Sequence, residues 1–331
     1  MPERPCVRLR AVRPGDRVAV IAPASPFPAD ALAAGLAEVR RLGLEPVCGP
    51  EVFDRQRYTA GAPETRARAL LAAWDNPGIA AVLTARGGYG SAGLLPFLPV
   101  EAIRRSPKPL VGYSDVTALL AFLTTRCGVT ALHGPCVAHG LDGGPAAYDE
   151  RTFVRSLTSG EALGVLPAPG LEAFQVGGEA VGPLLGGNLT QLAASMGTPW
   201  AFDPPPGCVL FLEDVNERPY RLDRMITQLR FAGVLARARA IVFGEMPGCD
   251  EPDGSVSARD AVGDALRGFG GPILWGLPAG HTAGPALTLP LGVRARVASS
   301  PAPVLELLES AVTDLPETRI PNPESRSRSH P

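Results

Sequence analysis

Short apolar runs alternate along this chain with segments of helical period. "RVAVIAPAS" (17–25) reads as a buried strand ending in a Pro-punctuated turn. "ADALAAGLAEVRRLG" follows with Leu32, Leu36 and Val39 on one face, a helix that stops at Gly43. "EPVCG" predicts a second strand, "ETRARALLAAWDNPG" a helix, and "IAAVLTAR" (79–86) a further strand. "GGYGSAGLLPFL" opens a short helix. In "KPLVGYSDVTALLAFL" an apolar run breaks at Gly112, and Val116, Leu119, Leu120 and Leu123 then fall on one helical face. Ser114 therefore stands where a strand turns sharply into a helix. "VTALHGPCV" (129–137) is another strand. Strands alternating with helices predict a parallel sheet covered on both faces, with ligands at the carboxyl ends of its strands.

From about Gly143 to Gly178 the periodicity weakens among Gly, Pro and Ala. Beyond it the pattern returns. "AVGPLLGGNLTQLAASMGT" predicts strand, Gly-Gly turn and helix, and "CVLFLED" a strand. "PYRLDRMITQLRFAG" is a helix with Leu222, Met225, Ile226 and Leu229 on one face. "ARAIVFGEM" and "PILWGLPAGHT" are strands with the helix "VSARDAVGDALRGFG" between them, and "ALTLPLGVRARVAS" and "APVLELLES" are β-rich. The expected division is an α/β domain over 1–157, a linker over 158–179, a smaller domain over 180–311, and a disordered polar tail over 312–331.

Composition narrows the function. The 331 residues are 45% hydrophobic, ample for a sizeable core, and the formal net charge is −2. No basic run tracks a phosphate backbone, so nucleic acid is not expected as a partner. No apolar stretch is long enough to span a bilayer, and "MPERPCVRLRAVRPGDR" lacks a signal-peptide core, so a cytoplasmic protein with no membrane partner is expected. Six cysteines (Cys6, Cys48, Cys127, Cys136, Cys208, Cys249) lie far apart with no C-x-x-C pair, which favours neither a zinc site nor a disulfide framework.

The chemistry-bearing candidates are few. A serine nucleophile needs a base, usually histidine, and an acid to orient it. Of four histidines, His330 lies in the tail, and His133 and His139 flank one strand end, where a buried imidazole bonded to backbone is the commoner role. His281, in "GLPAGHTAGP", follows an apolar strand in a loop suited to display a reactive group. Glu213 ends "CVLFLE"; a carboxylate there needs a partner, and a salt bridge to an arginine of "NERPYRLDR" is as good a reading as an acid at a site. The N–H of Asp115, next after Ser114, is placed to hold an oxyanion, with a second donor from "ARGGYGSAG". That loop also matches G-x-G-x-x-G at Gly88, Gly90 and Gly93, with Asp115 about 20 residues on, so a dinucleotide-binding or ligand-sensing protein is an alternative. Pro96 and Pro99 cut its helix short.

"RPGDRVAVIAPASP", "ARGGYGSAGLLPFL", "KPLVGYSDVTALL", "ALHGP", "GPLLGGNLTQLAASMGTP", "FLEDVNERPYRLDRMITQLRFAG" and "GLPAGHTAGPALTLPLG" together resemble the LD-carboxypeptidase family of serine peptidases, in order from about Arg13 to Leu291. The family also contains the microcin C self-immunity peptidases. The resemblance implies a Ser-Glu-His triad of Ser114, Glu213 and His281, and an oxyanion hole from the N–H groups of Gly88 and Asp115. It implies a parallel N-terminal domain, flavodoxin-like or class I amidotransferase-like, bearing Ser114, and a smaller mixed C-terminal α/β domain bearing the other two. It further implies release of terminal D-Ala from muropeptides in peptidoglycan recycling, with no cofactor and no metal, in a homodimer. Cleavage of peptidyl or aminoacyl nucleotides is the alternative within the family.

Overall fold

The computed structural model describes residues 6–314. Its apolar runs assemble into two main sheets. The first has six strands in the spatial order Leu289–Leu291, Ala131–His133, Leu110–Gly112, Ala81–Thr84, Arg17–Ile21, Glu45–Val47. The last five are mutually parallel. Ala81–Thr84, Leu110–Gly112 and Ala131–His133 are buried at every position, as strands covered on both faces must be. Helices Ala29–Arg41 and Pro63–Asp75 belong to this half, and the latter starts with Pro at its first position, where a missing N–H costs nothing.

The second sheet has eight strands, and its centre is the parallel set Glu179–Asn188, Cys208–Glu213, Ala238–Gly244 and Ile273–Leu277. Helices Pro219–Phe231 and Ala258–Ala265 pack a separate apolar cluster onto it through Leu222, Ile226, Leu229 and Val262. The main core runs without a break from Val18 and Val82 of the first sheet to Phe211 and Val242 of the second. The sheets also meet at polar points: the Asn188 amide donates to Thr117 Oγ1 at 3.0 Å. Among the described residues no helix is long and apolar enough to cross a membrane.

Four local expectations need correction. Leu289–Leu291 does not stay with the C-terminal part: it pairs antiparallel with Ala131–His133 and closes one edge of the first sheet. The stretch 158–179, expected to be a linker, carries the strands Gly164–Val165 and Glu172–Gln175, which form the two edges of the second sheet. Strands of two to four residues are too short to leave a periodic signal. Just before that stretch lies an unforeseen helix, Glu150–Thr158, whose start is set by the Asp149 carboxylate accepting from the Thr152 N–H at 2.7 Å. Val312–Thr313, assigned to the tail, pairs with Leu9–Arg10. Residues 315–331, including His330, lie outside the described residues.

Gly35, on the buried face of helix Ala29–Arg41, shows how closely the layers approach. A Cβ built there would lie 1.8 Å from the Val137 carbonyl oxygen. Alanine gains about 1 kcal/mol over glycine in an open helix. At this contact overpacking costs about 1–3 kcal/mol or more, so the sign reverses. Gly35→Ala is expected to lower the unfolding midpoint in denaturant; a rise would mean the helix shifts at no cost.

Candidate active site

The turn at Ser114 is built by its neighbours. Strand Leu110–Gly112 ends, Tyr113 takes the N-cap position, and Ser114 opens the 3-10 turn Ser114–Val116 that leads straight into helix Thr117–Ala121. The cap position thus falls one residue before Ser114. The φ of Ser114 is +61°, a left-handed conformation costing an L-residue roughly 1–2 kcal/mol. The Asp115 amide lies in the first turn, where N–H groups have no intrahelical acceptor.

The glycine loop after Ala81–Thr84 lies against this turn. A Cβ on Gly87 would sit 3.3 Å from Ser114 Oγ, so the backbone beside Gly88 borders the hydroxyl. Ser25 ties the loop down: its hydroxyl accepts from the Tyr89 N–H at 3.0 Å and donates to the Tyr58 carbonyl at 2.9 Å. The Asp115 carboxylate accepts from the amides of Gly90 (3.2 Å) and Ser91 (2.8 Å). Arg66, buried, donates to the Gly90 carbonyl at 2.8 Å. Two of the amides that a pyrophosphate would need at G-x-G-x-x-G, those of Gly90 and Ser91, are therefore taken by Asp115, and the segment Ser91–Phe97 is a 3-10 helix rather than the α-helix of a dinucleotide site. This removes the observation behind the dinucleotide alternative.

Glu213 ends the fully buried strand Cys208–Glu213 and is itself fully buried. It does not pair with the arginines downstream. Its Oε2 takes His281 Nδ1 at 2.7 Å and accepts from the His281 backbone N–H at 3.0 Å. Gly280 makes this approach feasible: its φ is +77°, and a Cβ there would fall 2.6 Å from Glu213 Cδ. Burial pushes the Glu213 carboxyl up, but the imidazoles of His133 and His281 outweigh it and hold the group well below the usual carboxylate range. Burial pulls His281 down, and the bond to Glu213 with its charge more than compensates, leaving His281 above the ordinary histidine value.

The two halves of the site meet through aromatic rings. Tyr113, adjacent to Ser114, has its ring 5.1 Å from that of His281 and stacks on His139 at 5.7 Å. The tyrosine hydroxyl and His139 Nδ1 are hydrogen-bonded. These residues, with Pro135, Val215 and Thr282, wall a cavity of about 320 Å³. Among the described residues no group of three His, Cys, Asp or Glu side chains could hold a metal ion.

Three supporting residues escape a linear reading. Glu245, just past strand Ala238–Gly244, accepts from the Thr282 hydroxyl and the Ala283 N–H and so tethers the loop after His281. Asp214 accepts from the Thr190 N–H at 2.9 Å and from Asn188 Nδ2 at 3.1 Å, while the Asn188 side chain caps helix Leu189–Ser195. His133, fully buried, has Nε2 3.8 Å from Glu213 Oε1. A carboxylate ending an apolar strand, as in "FLED" and "VFGEM", was the available signal for the first two; for His133 there was none beyond its strand-end position.

Residues 18–134 match the family described as LD-carboxypeptidase N-terminal domain, and residues 181–297 that described as LD-carboxypeptidase C-terminal domain. A putative carboxypeptidase of Streptomyces coelicolor is 41% identical over 298 residues, 89% of this chain and 94% of the relative. The murein tetrapeptide carboxypeptidase of Pseudomonas aeruginosa is 38% identical over 273 residues, covering 81% and 88%. The microcin self-immunity protein of Escherichia coli is 29% identical over 286 residues, covering 78% and 83%. The crystal structure of muramoyltetrapeptide carboxypeptidase from Oxalobacter formigenes superposes with a TM-score of 0.78 at 30% identity, covering 89% of this chain and 99% of that one.

Replacing the acid tests the electrostatics without a substrate. In Glu213→Gln, His281 keeps its burial and loses the carboxylate. Its pKa is expected to fall below the ordinary value of about 6.5, read by NMR titration of the histidine ring signals. A midpoint that stays above that value would show that Glu213 is not what raises it.

Proposed function

The chain belongs to the LD-carboxypeptidase family, and we propose that it is a serine carboxypeptidase that releases terminal D-Ala from muropeptide tetrapeptides by hydrolysing the L,D-bond. The observation that carries the reading is the 2.7 Å bond between His281 Nδ1 and the buried Glu213, with the His281 ring 5.1 Å from that of Tyr113, whose chain neighbour Ser114 is held at positive φ on the facing sheet. Support for the substrate comes from the relatives named murein tetrapeptide carboxypeptidase and muramoyltetrapeptide carboxypeptidase.

In this reading each residue has a definite role. Ser114 Oγ attacks the carbonyl of the scissile bond as His281 Nε2 takes its proton, and Glu213 holds the imidazole through Nδ1 and stabilises the imidazolium. The oxyanion is received by the N–H groups of Gly88 and Asp115, which need no reorganisation because Ser25, Asp115 and Arg66 already fix the loop. His281 gives its proton to the leaving amine of D-Ala. A water, deprotonated by the same imidazole, then hydrolyses the acyl-enzyme and returns Ser114 to its hydroxyl form. A cavity of about 320 Å³ suits the end of a short peptide rather than a folded protein.

The test is mass spectrometry of L-Ala-γ-D-Glu-meso-diaminopimelate-D-Ala incubated with the native chain and with Ser114→Ala. Native protein alone is expected to release D-Ala, with the variant slower by about four powers of ten. No release by either would overturn the substrate, and equal release by both would overturn the nucleophile.

The pH profile carries a sign. His281 must be neutral to act as a base, and its pKa lies above the ordinary value, so kcat/KM is full at high pH and falls as pH drops through a midpoint above about 6.5. A profile flat from pH 5 to pH 8 would exclude His281 as the base.

A further inference from the structure

At the seam between the sheets the ring of His133 and one carboxylate oxygen of Glu213 remain without hydrogen bonds, and they face each other. His133 ends strand Ala131–His133 of the first sheet with a fully buried side chain. Neither of its ring nitrogens has a hydrogen-bond partner among the described residues, and Glu213 Oε1 has none either. His133 Nε2 lies 3.8 Å from that oxygen, just beyond bonding distance. The ring is held edge-on to Phe211 at 5.1 Å and to Tyr113 at 6.1 Å, so it is seated by the strand of Glu213 on one side and by the neighbour of Ser114 on the other. Buried polar groups left unpaired are rare and call for a reason.

We propose that His133 is a positioning residue for the Glu213–His281 pair: with its proton on Nε2, it donates to Oε1, the carboxylate oxygen that His281 leaves free, and pins the acid while His281 is charged. The inference rests on the triad reading above. The demand is physical. When His281 takes the serine proton, Glu213 must remain ionised and must not rotate, yet His281 and its amide hold only Oε2. A second donor from the facing sheet fixes both oxygens and ties the acid to the sheet that bears the nucleophile. Hydrogen bonds at a site are often long in the free protein and shorten as charge develops.

The sign of the pH effect follows. Without the His133 donor, Oε1 is bare, the carboxylate attracts a proton more strongly, and His281 holds its proton to higher pH. The other titratable and charged groups around the trio are Asp214 beside Glu213, Tyr113 beside Ser114, Cys136 and His139 beyond His133, and Arg86 and Asp142 near Tyr113. All of them stay in place in the variants below.

The experiment is an NMR titration of the histidine ring signals in the full chain, comparing native, His133→Phe and His133→Gln. With Phe, the midpoint of His281 is expected to rise on the order of one pH unit; with Gln, whose amide N–H can reach Oε1, it should stay near the native value. In tetrapeptide hydrolysis, Phe should lower kcat on the order of tenfold or more with KM little changed, and Gln should restore it. A merely structural residue would reduce the amount of folded protein without moving the midpoint. If Phe does not fold, the native protein still decides: the His133 Nε2–H signal should shift when Glu213→Gln is introduced. An unmoved His281 midpoint in both variants, equal shifts in both, or an unmoved His133 signal would overturn the proposal. The titration needs no substrate, so a native chain that cleaves no tetrapeptide would count against the function and not against His133.

Discussion

A carboxylate placed at full burial between two sheets is the constraint that organises this molecule. Glu213 ends an apolar strand where water does not reach, and a buried charge of that kind persists only with close partners. Much of the surrounding structure answers that demand. Gly280 removes the side chain that would block the approach, the His281 amide and ring converge on one oxygen, and Glu245 steadies the following loop from the next strand. Asp214, the neighbouring acid, is turned away and occupied by Thr190 and Asn188. Its own carboxyl is pushed up by burial and by the charge of Glu213, so the two adjacent acids are held apart in ionisation as well as in direction.

On the facing sheet the costly feature is conformational. Ser114 is held at φ +61° although it is not glycine, and the loop opposite it is fixed by the Asp115 carboxylate, Ser25 and buried Arg66. The side chain after the serine orders the loop through its carboxylate while its own amide stays available. One residue thus links the serine turn to the glycine loop. This explains why the loop resembles a phosphate cradle in sequence and yet has the amides of Tyr89, Gly90 and Ser91 already engaged.

Much of this was legible in the chain, and the limits are physical. Strand and helix alternation predicted the parallel set of the first sheet, and the strands and helices though not the parallel pairing of the second, because continuous apolar runs and helical faces are local patterns. The serine turn was visible as an apolar run broken at Gly112 and followed at once by helical spacing. The partner of Glu213 was not legible residue by residue, where a salt bridge to a nearby arginine was equally good; His281 entered as that partner only through the family resemblance, because the contact exists only in the fold. The edge strands Gly164–Val165, Glu172–Gln175 and Leu289–Leu291 were missed or misplaced because a strand this short is defined by its neighbours rather than by its own residues. His133 was legible only as a buried histidine, since its significance lies in a distance across the seam.

Division of the acid and the serine between two sheets makes the site depend on how those sheets dock. The docking surface is not uniformly apolar. Thr117, three residues after Ser114, accepts from the Asn188 amide, and Asn188 pairs in register with Glu213. Gly187 lies so close to Thr117 that a Cβ there would be 2.7 Å from Thr117 Oγ1. The helix that follows the serine is therefore keyed directly to the strand beside the acid, and Leu289–Leu291 returns from the His281 region to pair with the His133 strand. Each connection crosses the seam within a few residues of a proposed site residue. A change at Thr117 or Gly187 would thus alter the registry of serine and acid without touching either, because packed interfaces shift between discrete arrangements rather than deform smoothly.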